Sequence, residues 1–145
     1  SALDISRTMA LGADWVNMAR AFMFAVGCIQ SQTCHTDHCP TGVATQDKDR
    51  QRAIVVPDKA QRVKQFHEKT LMALAEVVGG AGLTHPSQFR RFHFHKRTGE
   101  AEILSFMDLY PPLRKGELLE GTEDRRFKRA WQRAQAESFA AAHGG

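Results

Sequence analysis

The chain has few cysteines and no long apolar run. Its 145 residues include three cysteines, and an odd count does not suit the disulfide framework of a secreted domain. The longest apolar run, residues 21–26, is far shorter than the ~20 residues needed to span a bilayer. The first residues lack the basic start of a signal peptide. We therefore expect a cytoplasmic protein with no membrane span in this segment.

The chain also lacks a basic tract. The net charge is +4 and the pI about 9.2, yet lysine and arginine are spread along the chain, as on a solvated surface. One group could serve a nucleic-acid site, because its aromatic rings could stack on bases beside its cations. That group is Arg90, Arg91, Lys96 and Arg97 with Phe92 and Phe94. No known nucleic-acid motif accompanies it, and we expect no nucleic-acid partner.

The first half of the chain alternates helix and strand. Apolar spacing predicts a helix over residues 2–11, which Gly12 ends. Residues 14–18 then predict a short strand. Residues 19–27 predict a helix that is apolar almost all round, and we expect it to be buried. A single strand leaves two bare edges, so this half is typical of a slice of a repeating β/α fold and could self-associate.

The second half is mostly helical. A long helix is predicted over residues 58–78, capped by Asp58 and ended by Gly79-Gly80. A short helix is predicted over residues 86–92, and a hairpin turns at residues 97–100. A charged helical tail is predicted over residues 123–142, with Phe139 among its few apolar residues.

The chemistry of the chain is concentrated in its three cysteines. Cys28, Cys34 and Cys39 follow the pattern Cys-x5-Cys-x4-Cys-Pro. Clustered thiolates in a reducing compartment favour a metal site. Three interpretations remain open at this point: an iron–sulfur cluster with three ligands, a Cys3His zinc site completed by His35 or His38, and a merely structural Cys28 at the end of an apolar helix.

A second candidate site lies where the predicted strand meets the next helix. The first amides of a helix are unpaired and attract anions, and Arg20 adds a positive guanidinium there. In β/α barrels a phosphate site commonly follows the last strands. A plain strand-to-helix turn is the alternative.

These motifs resemble the FMN-binding synthase domain of glutamate synthase, and more narrowly the shorter proteins of that family without an amidotransferase domain. The resemblance is good over residues 1–83 and weaker to residue 119. It is carried by Gly12-Ala-Asp-Trp-Val-Asn-Met-Ala-Arg20, Gly27-Cys28-Ile29, Cys34-His35 and Cys39-Pro-Thr-Gly42-Val-Ala-Thr-Gln46-Asp47.

The resemblance implies a fold and two cofactors. The fold is α/β, a (β/α)8 TIM barrel, of which this chain would hold helix 7, strand 8, the cluster loop and helix 8, followed by a mainly helical tail. Cys28, Cys34 and Cys39 would bind a 3Fe-4S cluster, and Met18, Ala19 and Arg20 would form part of the FMN phosphate site. The implied domains are residues 1–83, with the cysteine loop at 28–47, and a C-terminal extension over 84–145.

The resemblance also implies a reaction and its partners. The cluster would pass electrons to FMN, and the flavin would reduce the imine formed from 2-oxoglutarate and ammonia to L-glutamate. The implied partners are the missing N-terminal part of the barrel, 2-oxoglutarate, ammonia or glutamine, and an electron donor, either ferredoxin or an NAD(P)H-linked subunit. Since most of the barrel is absent, we expect the fragment alone to be inactive. The alternative function is a zinc-binding interaction module without catalysis.

Overall fold

The computed structural model describes residues 1–137, which are mostly helical with one small sheet. They divide into two compact units, Ser1–Leu109 and a second unit that begins at Tyr110. The helices are α1 (Ala2–Ala10), α2 (Ala19–Val26), α3 (Lys48–Gln51), α4 (Val56–Gly80), α5 (Phe106–Leu109), α6 (Glu117–Glu120) and α7 (Arg125–Arg133). The mostly helical character is as predicted.

Local residues at both ends of helix α1 determine where it begins and where it ends. Ser1 and Asp4 form a reciprocal capping box at the N-terminus, which satisfies amides that have no partner inside the helix. After the helix, Gly12 adopts φ +115°, a conformation open to glycine without steric cost. The predicted helix and the glycine at its end are both confirmed.

The strand predicted over residues 14–18 is wrong. These residues have no strand hydrogen bonds, and the one sheet of the described chain lies elsewhere. An apolar extended segment becomes a strand only when a neighbour pairs with its amides and carbonyls. Within residues 1–137 no such neighbour lies beside it, and the Trp15 ring is 76% exposed.

Helix α2 forms where it was predicted, but the expectation that it is buried is wrong. None of its residues is buried, and Met23 and Phe24 are among its exposed side chains. The helix packs against α4, where the Phe22 and Phe66 rings meet edge to face with centroids 5.2 Å apart. A helix that is apolar all round needs neighbours on every side to be buried, and α4 covers one side.

Helix α4 begins and ends slightly outside its predicted limits. Val55 is its N-cap and Pro57 lies in the first turn, where the missing amide of proline costs nothing. Asp58 is therefore inside the helix and not its cap. The helix ends at Gly80, so the predicted end at Gly79-Gly80 is confirmed. The glycine in the left-handed conformation beyond it is Gly82, at φ +71°.

The core of the first unit lies between α1, α4 and the segment that follows α4. Ala10, Val78 and Phe89 are its buried members. Partly buried side chains pack around them, namely Leu74, Val77, Leu83 and Phe94. The core thus joins residues on both sides of the domain boundary predicted after Leu83. That boundary follows the extent of the resemblance and stays a prediction.

The hairpin predicted around residues 97–100 is confirmed. Strands β1 (His95–Arg97) and β2 (Ile103–Ser105) are antiparallel, and His95 pairs with Ser105. The short helix predicted over residues 86–92 is instead two 3-10 turns, Pro86–Gln88 and Arg91–His93. Each turn is closed by a side chain of its own segment, which is typical of such short elements.

The second unit contains α6 and α7. Asp124 caps α7 by accepting the Arg126 amide at 2.9 Å. The charged helix predicted over residues 123–142 is confirmed over Arg125–Arg133 and stops there, since residues 134–137 are not helical. Residues 138–142, including Phe139, lie outside the described residues. No helix among residues 1–137 is long and apolar enough to cross a membrane.

Candidate functional site: the cysteine loop

The cysteine loop, residues 28–47, begins where α2 ends. Gly27 takes φ +126° and closes the helix, and the Cys28 amide still donates to the Met23 oxygen at 3.0 Å. Cys28 therefore has its backbone fixed by the end of a helix. Its thiol is half-buried and free of any disulfide.

Backbone conformations that side chains disfavour are concentrated in this loop. Among the described residues, the non-glycine positions with positive φ are Gln30, Gln32 and Asp37, and all three lie between Cys28 and Cys39. Each costs about 1 kcal/mol or more relative to an ordinary conformation. Such strain clusters at functional sites, so the loop is the strongest candidate site in the chain.

Two of the three cysteines share one cavity. Cys28 and Cys34 line a cavity of about 190 Å³ together with Arg20. The Cys28 sulfur accepts the Gln30 amide at 3.5 Å, and Cys34 is exposed at the start of a 3-10 turn, Cys34–Thr36. The Arg20 guanidinium gives this cavity a positive charge, which favours an anionic group bound there.

Cys39 lies apart from that cavity, in a pocket of polar donors. It is only 5% exposed, and its sulfur lies 3.6 Å from the Thr41 hydroxyl. Hydrogen bonds from that hydroxyl and from the amides of Ala44, Thr41 and Val43 lower the pKa of Cys39 to about 7, against the opposing effect of burial. Donors arranged in this way stabilise a thiolate, which is the form that binds metal.

The structure does not gather the predicted ligands into one finished site. Among residues 1–137, no three His, Cys, Asp or Glu side chains are arranged to hold a metal ion. His35 and His38, the candidate fourth ligands of a zinc site, are both exposed. The role of Cys28, Cys34 and Cys39 as metal ligands stays a prediction.

A second, basic cavity lies on another side of Cys28. It has a volume of about 430 Å³ and is lined by Lys59 and Arg62 of α4, with Pro40 and Thr41 from the loop. The Lys59 side chain is 20% exposed and lies 3.6 Å from the Asp58 carboxylate. Both cavities beside Cys28 are therefore bordered by cations.

The predicted phosphate site lies at the start of α2. Met18 is the N-cap of this helix and makes no side-chain capping bond, and Ala19 is its first residue. Arg20 follows, and its side chain borders the cavity of Cys28 and Cys34. The structure thus places Arg20, one of the three candidate phosphate residues, in the same cavity as Cys28 and Cys34. Their role in binding FMN stays a prediction.

Residues that the sequence analysis missed hold the loop together. Thr45 is buried and donates its hydroxyl to the Asp37 main-chain oxygen at 2.5 Å. Asp47 caps α3, a helix that was not predicted. The signal was present in the residue types, because Asp and Thr in loops commonly bond to nearby backbone groups.

The basic group considered for nucleic acid is partly engaged inside the fold. Arg90 donates to the main-chain oxygens of Ser87 and Phe89 at 2.7 and 2.8 Å. Arg91 donates to the Leu11 oxygen at 3.0 Å. These two side chains have structural partners that explain their presence.

Residues 1–84 match a family model described as a conserved region in glutamate synthase. The match covers both the start of α2 and the whole cysteine loop. It ends just beyond α4.

Three curated relatives are similar over much of this chain. A glutamate synthase large subunit-like protein, YerD, of Bacillus subtilis (strain 168) is 39% identical over 105 residues, 72% of this chain and 20% of its own. An archaeal-type glutamate synthase [NADPH] of Dehalococcoides mccartyi is 31% identical over 94 residues, which are 65% of this chain and 19% of that protein. The glutamate synthase [NADPH] large chain of Azospirillum brasilense is 32% identical over 113 residues, which are 76% of this chain and 7% of that protein.

The matched region spans a fifth or less of the length of these three relatives. No solved structure matches the chain significantly.

Proposed function

The chain belongs to the glutamate synthase family, and on that premise we propose that it carries the iron–sulfur site and one wall of the FMN site of a glutamate synthase-like oxidoreductase. The family itself rests on the match over residues 1–84.

The observation that carries the proposal is the cysteine loop. The positive-φ non-glycine residues of the described chain lie between its first and last cysteines, and Cys28 and Cys34 face one cavity. Strained backbone costs stability, and a loop that only connects two helices would not need it. A loop that must present three thiols to one centre has such a reason.

The donor chemistry of the loop fits an iron–sulfur cluster. Cys28, Cys34 and Cys39 would hold it, and a 3Fe-4S cluster bound there would supply one-electron transfer. Amide donors point at two of the sulfurs, from Gln30 to Cys28 and from Ala44 and Thr41 to Cys39. Such hydrogen bonds stabilise thiolate ligands and tune the potential of a cluster.

The start of α2 is proposed to bind the FMN phosphate. An eight-residue helix without a side-chain cap offers free amides at Ala19 and Arg20. Arg20 would add its charge to the phosphate while bordering the thiols. The chain's contribution would be to place these two groups next to each other.

The barrel is proposed as the setting of this site. Helix α1 would be helix 7 and α4 would be helix 8, with residues 14–18 in the position of strand 8. Both α1 and α2 pack against α4. Residues 14–18 follow α1 and precede α2 in the chain, and no strand among residues 1–137 pairs with them. In a closed barrel a neighbouring strand would pair with these residues.

The proposed reaction is the reductive amination of 2-oxoglutarate to L-glutamate. Ammonia or glutamine would supply nitrogen, and ferredoxin or an NAD(P)H-linked subunit would supply electrons. The 145-residue chain alone is expected to be inactive, because the proposed 2-oxoglutarate pocket would lie on other parts of the barrel. Turnover of 2-oxoglutarate by this chain alone would overturn that expectation.

Metal analysis of the natural full-length protein tests the proposal. Iron together with acid-labile sulfide, brown colour and flavin absorbance would support it. One colourless zinc per chain, without sulfide, would replace it with the zinc-binding interaction module. A zinc site would take His35 or His38 as its fourth ligand, and both histidines are exposed.

A further inference from the structure

We propose that Asp37 is a positioning residue, which closes the second half of the cysteine loop and thereby holds Cys39 in place as a ligand. This inference rests on the proposed function only for the identity of the group that Cys39 would bind, an iron–sulfur cluster. The closure itself is a property of the protein without a cluster.

Asp37 stands at a turning point between two of the cysteines. It ends the 3-10 turn Cys34–Thr36 in a left-handed conformation, φ 64° and ψ 7°. Its amide donates to the Cys34 oxygen at 3.4 Å. Aspartate and asparagine tolerate this conformation better than other side chains, because their short polar groups can bond locally.

Two hydrogen bonds then join Asp37 to the far end of the loop. The Asp37 carboxylate accepts the Gln46 amide at 2.6 Å. The Asp37 main-chain oxygen accepts the Thr45 hydroxyl at 2.5 Å. A residue before Cys39 is thereby tied to two residues after it, so residues 38–44 form a closed loop.

The closure is continued into α3. The Thr45 hydroxyl accepts the Asp47 amide at 3.1 Å, and the Thr45 oxygen accepts the Gln51 side-chain amide at 2.7 Å. Asp47 in turn caps the helix. The loop that Asp37 closes is therefore anchored to a helix and not only to itself.

Cys39 lies inside this closed loop together with the groups that surround its sulfur. The Thr41 hydroxyl and the amides of Val43 and Ala44 all come from residues 38–44. Cys39 is buried, whereas Cys34, outside the closed loop, is exposed. If the closure opens, the sulfur loses its donors and its shelter at the same time.

Three substitutions separate the two properties of Asp37. Asp37→Asn keeps both the acceptor and the tolerance of positive φ. Asp37→Gly keeps the tolerance of positive φ but removes the side-chain acceptor of the Gln46 amide. Asp37→Ala removes both the side-chain acceptor and the tolerance of positive φ. Asp49→Ala is the matched control, because Asp49 is an exposed acid in the neighbouring helix whose carboxylate pairs with Arg52 at 3.2 Å.

The first measurement uses the natural full-length protein stripped of metal. The rate of maleimide addition is measured at each cysteine by peptide mass, at a pH of about 9, where a cysteine is largely ionised whether or not its thiolate has hydrogen-bond donors. Differences in rate at this pH therefore report access to the sulfur. We expect Asp37→Ala and Asp37→Gly to raise the rate at Cys39 at least about tenfold, while the exposed Cys34 in the same molecules reacts at its wild-type rate. Asp37→Asn and Asp49→Ala should match wild type. Equal Cys39 rates in wild type and Asp37→Gly would overturn the proposal.

The second measurement is anaerobic reconstitution of the same proteins with iron and sulfide, followed by low-temperature EPR. Wild type, Asp37→Asn and Asp49→Ala should give one and the same signal, and Asp37→Gly a weaker or altered one. A wild-type protein that takes up no iron and sulfide in this experiment would overturn the proposed function. The maleimide rates would still test the role of Asp37, because they are measured without metal. If Asp37→Ala fails to fold, the comparison of Asn with Gly carries the test.

Discussion

Arg91 donates a hydrogen bond from Nη2 to the main-chain oxygen of Leu11, 3.0 Å away. Leu11 is the C-cap of α1, where carbonyls lack partners within the helix and the helix dipole favours a cation. This contact joins the beginning of the first unit to the segment after α4. The segment therefore belongs to the same compact unit as α1.

Arg91→Ala is expected to destabilise the first unit by about 1–3 kcal/mol, because the Leu11 oxygen loses a charged donor. Urea denaturation and hydrogen exchange of the α1 amides would measure the loss. Lys96→Ala, at an exposed strand position, is the control and should change stability by less than about 0.5 kcal/mol. Equal effects of the two substitutions would contradict a specific role for Arg91.

Gly42→Ala is expected to disrupt the cysteine loop. Gly42 has φ +76°, and a Cβ there would overlap the main-chain oxygen of Arg50, so the backbone of the loop or of α3 must shift. The expected cost is about 2 kcal/mol or more, together with loss of the metal content measured by iron analysis.

Gly80→Ala is the matched control for Gly42. A Cβ at Gly80, in the last turn of α4, meets nothing within 4 Å. Since alanine is the better helix former, this variant should be neutral or more stable by up to about 1 kcal/mol. An unchanged loop in Gly42→Ala would show that α3 moves easily.

The cap of α3 should weaken in acid. The amides of Arg50 and Asp49 donate to the Asp47 carboxylate and lower its pKa below the usual 3.8. A lowered folded-state pKa stabilises the folded form above the unfolded pKa of about 3.9, and this contribution is lost as the pH falls through the lower value. NMR of the Asp49 and Arg50 amides should show that step.

Asp47→Asn should abolish the acid step, because an asparagine caps the helix without titrating. Asp124→Asn, at the cap of α7, is the control and should leave the two amides of α3 titrating as in wild type. A step of wild-type size in Asp47→Asn would assign the transition to another carboxyl group.

Serine substitutions at Cys28, Cys34 and Cys39 should each remove most of the bound iron and sulfide, since serine is a poor ligand for soft metals. His35→Ala and His38→Ala should keep both, because a cluster with three thiolates needs no histidine. Iron, zinc and sulfide analysis of the five variants checks this. Loss of one zinc on substitution of either histidine would favour the Cys3His site.

Arg20→Gln should weaken retention of FMN by about tenfold, the effect of one charge-assisted hydrogen bond. Fluorescence of flavin released on dilution would measure it. Arg52→Gln, whose side chain is 81% exposed in a surface ion pair, is the control and should retain flavin as wild type does. Equal retention by both variants would remove Arg20 from the phosphate site.

Local patterns were sufficient for most helices and for the hairpin. Helix α1 has its capping residues within its own sequence, and the turn at residues 97–100 lies between two short apolar segments. Helix α2 was placed correctly from its run of apolar residues, but its burial was not, because burial depends on neighbours that are far away in sequence. The segment 14–18 failed as a strand for the same reason.

The cysteine spacing and the motif around it indicate the glutamate synthase family. The match of residues 1–84 to the family model shows that the chain belongs to it. What the residue order did not reveal is how unlike the three thiols are. Cys34 is exposed, Cys28 borders two cavities, and Cys39 is enclosed. Asp37 forms hydrogen bonds across the loop to Thr45 and Gln46, and Cys39 lies within the segment that these bonds close.

Residue order alone is enough to indicate the family, the helices whose caps and apolar spacing are local, and the candidate ligands. Tertiary contacts are needed to show which thiol is sheltered, that Arg20 shares a cavity with Cys28 and Cys34, and that Arg91 bonds to the end of α1. The difference lies in the distance along the chain over which each interaction acts. Caps, turns and propensities act over a few residues, whereas burial and long-range hydrogen bonds depend on where the folded chain brings distant residues together.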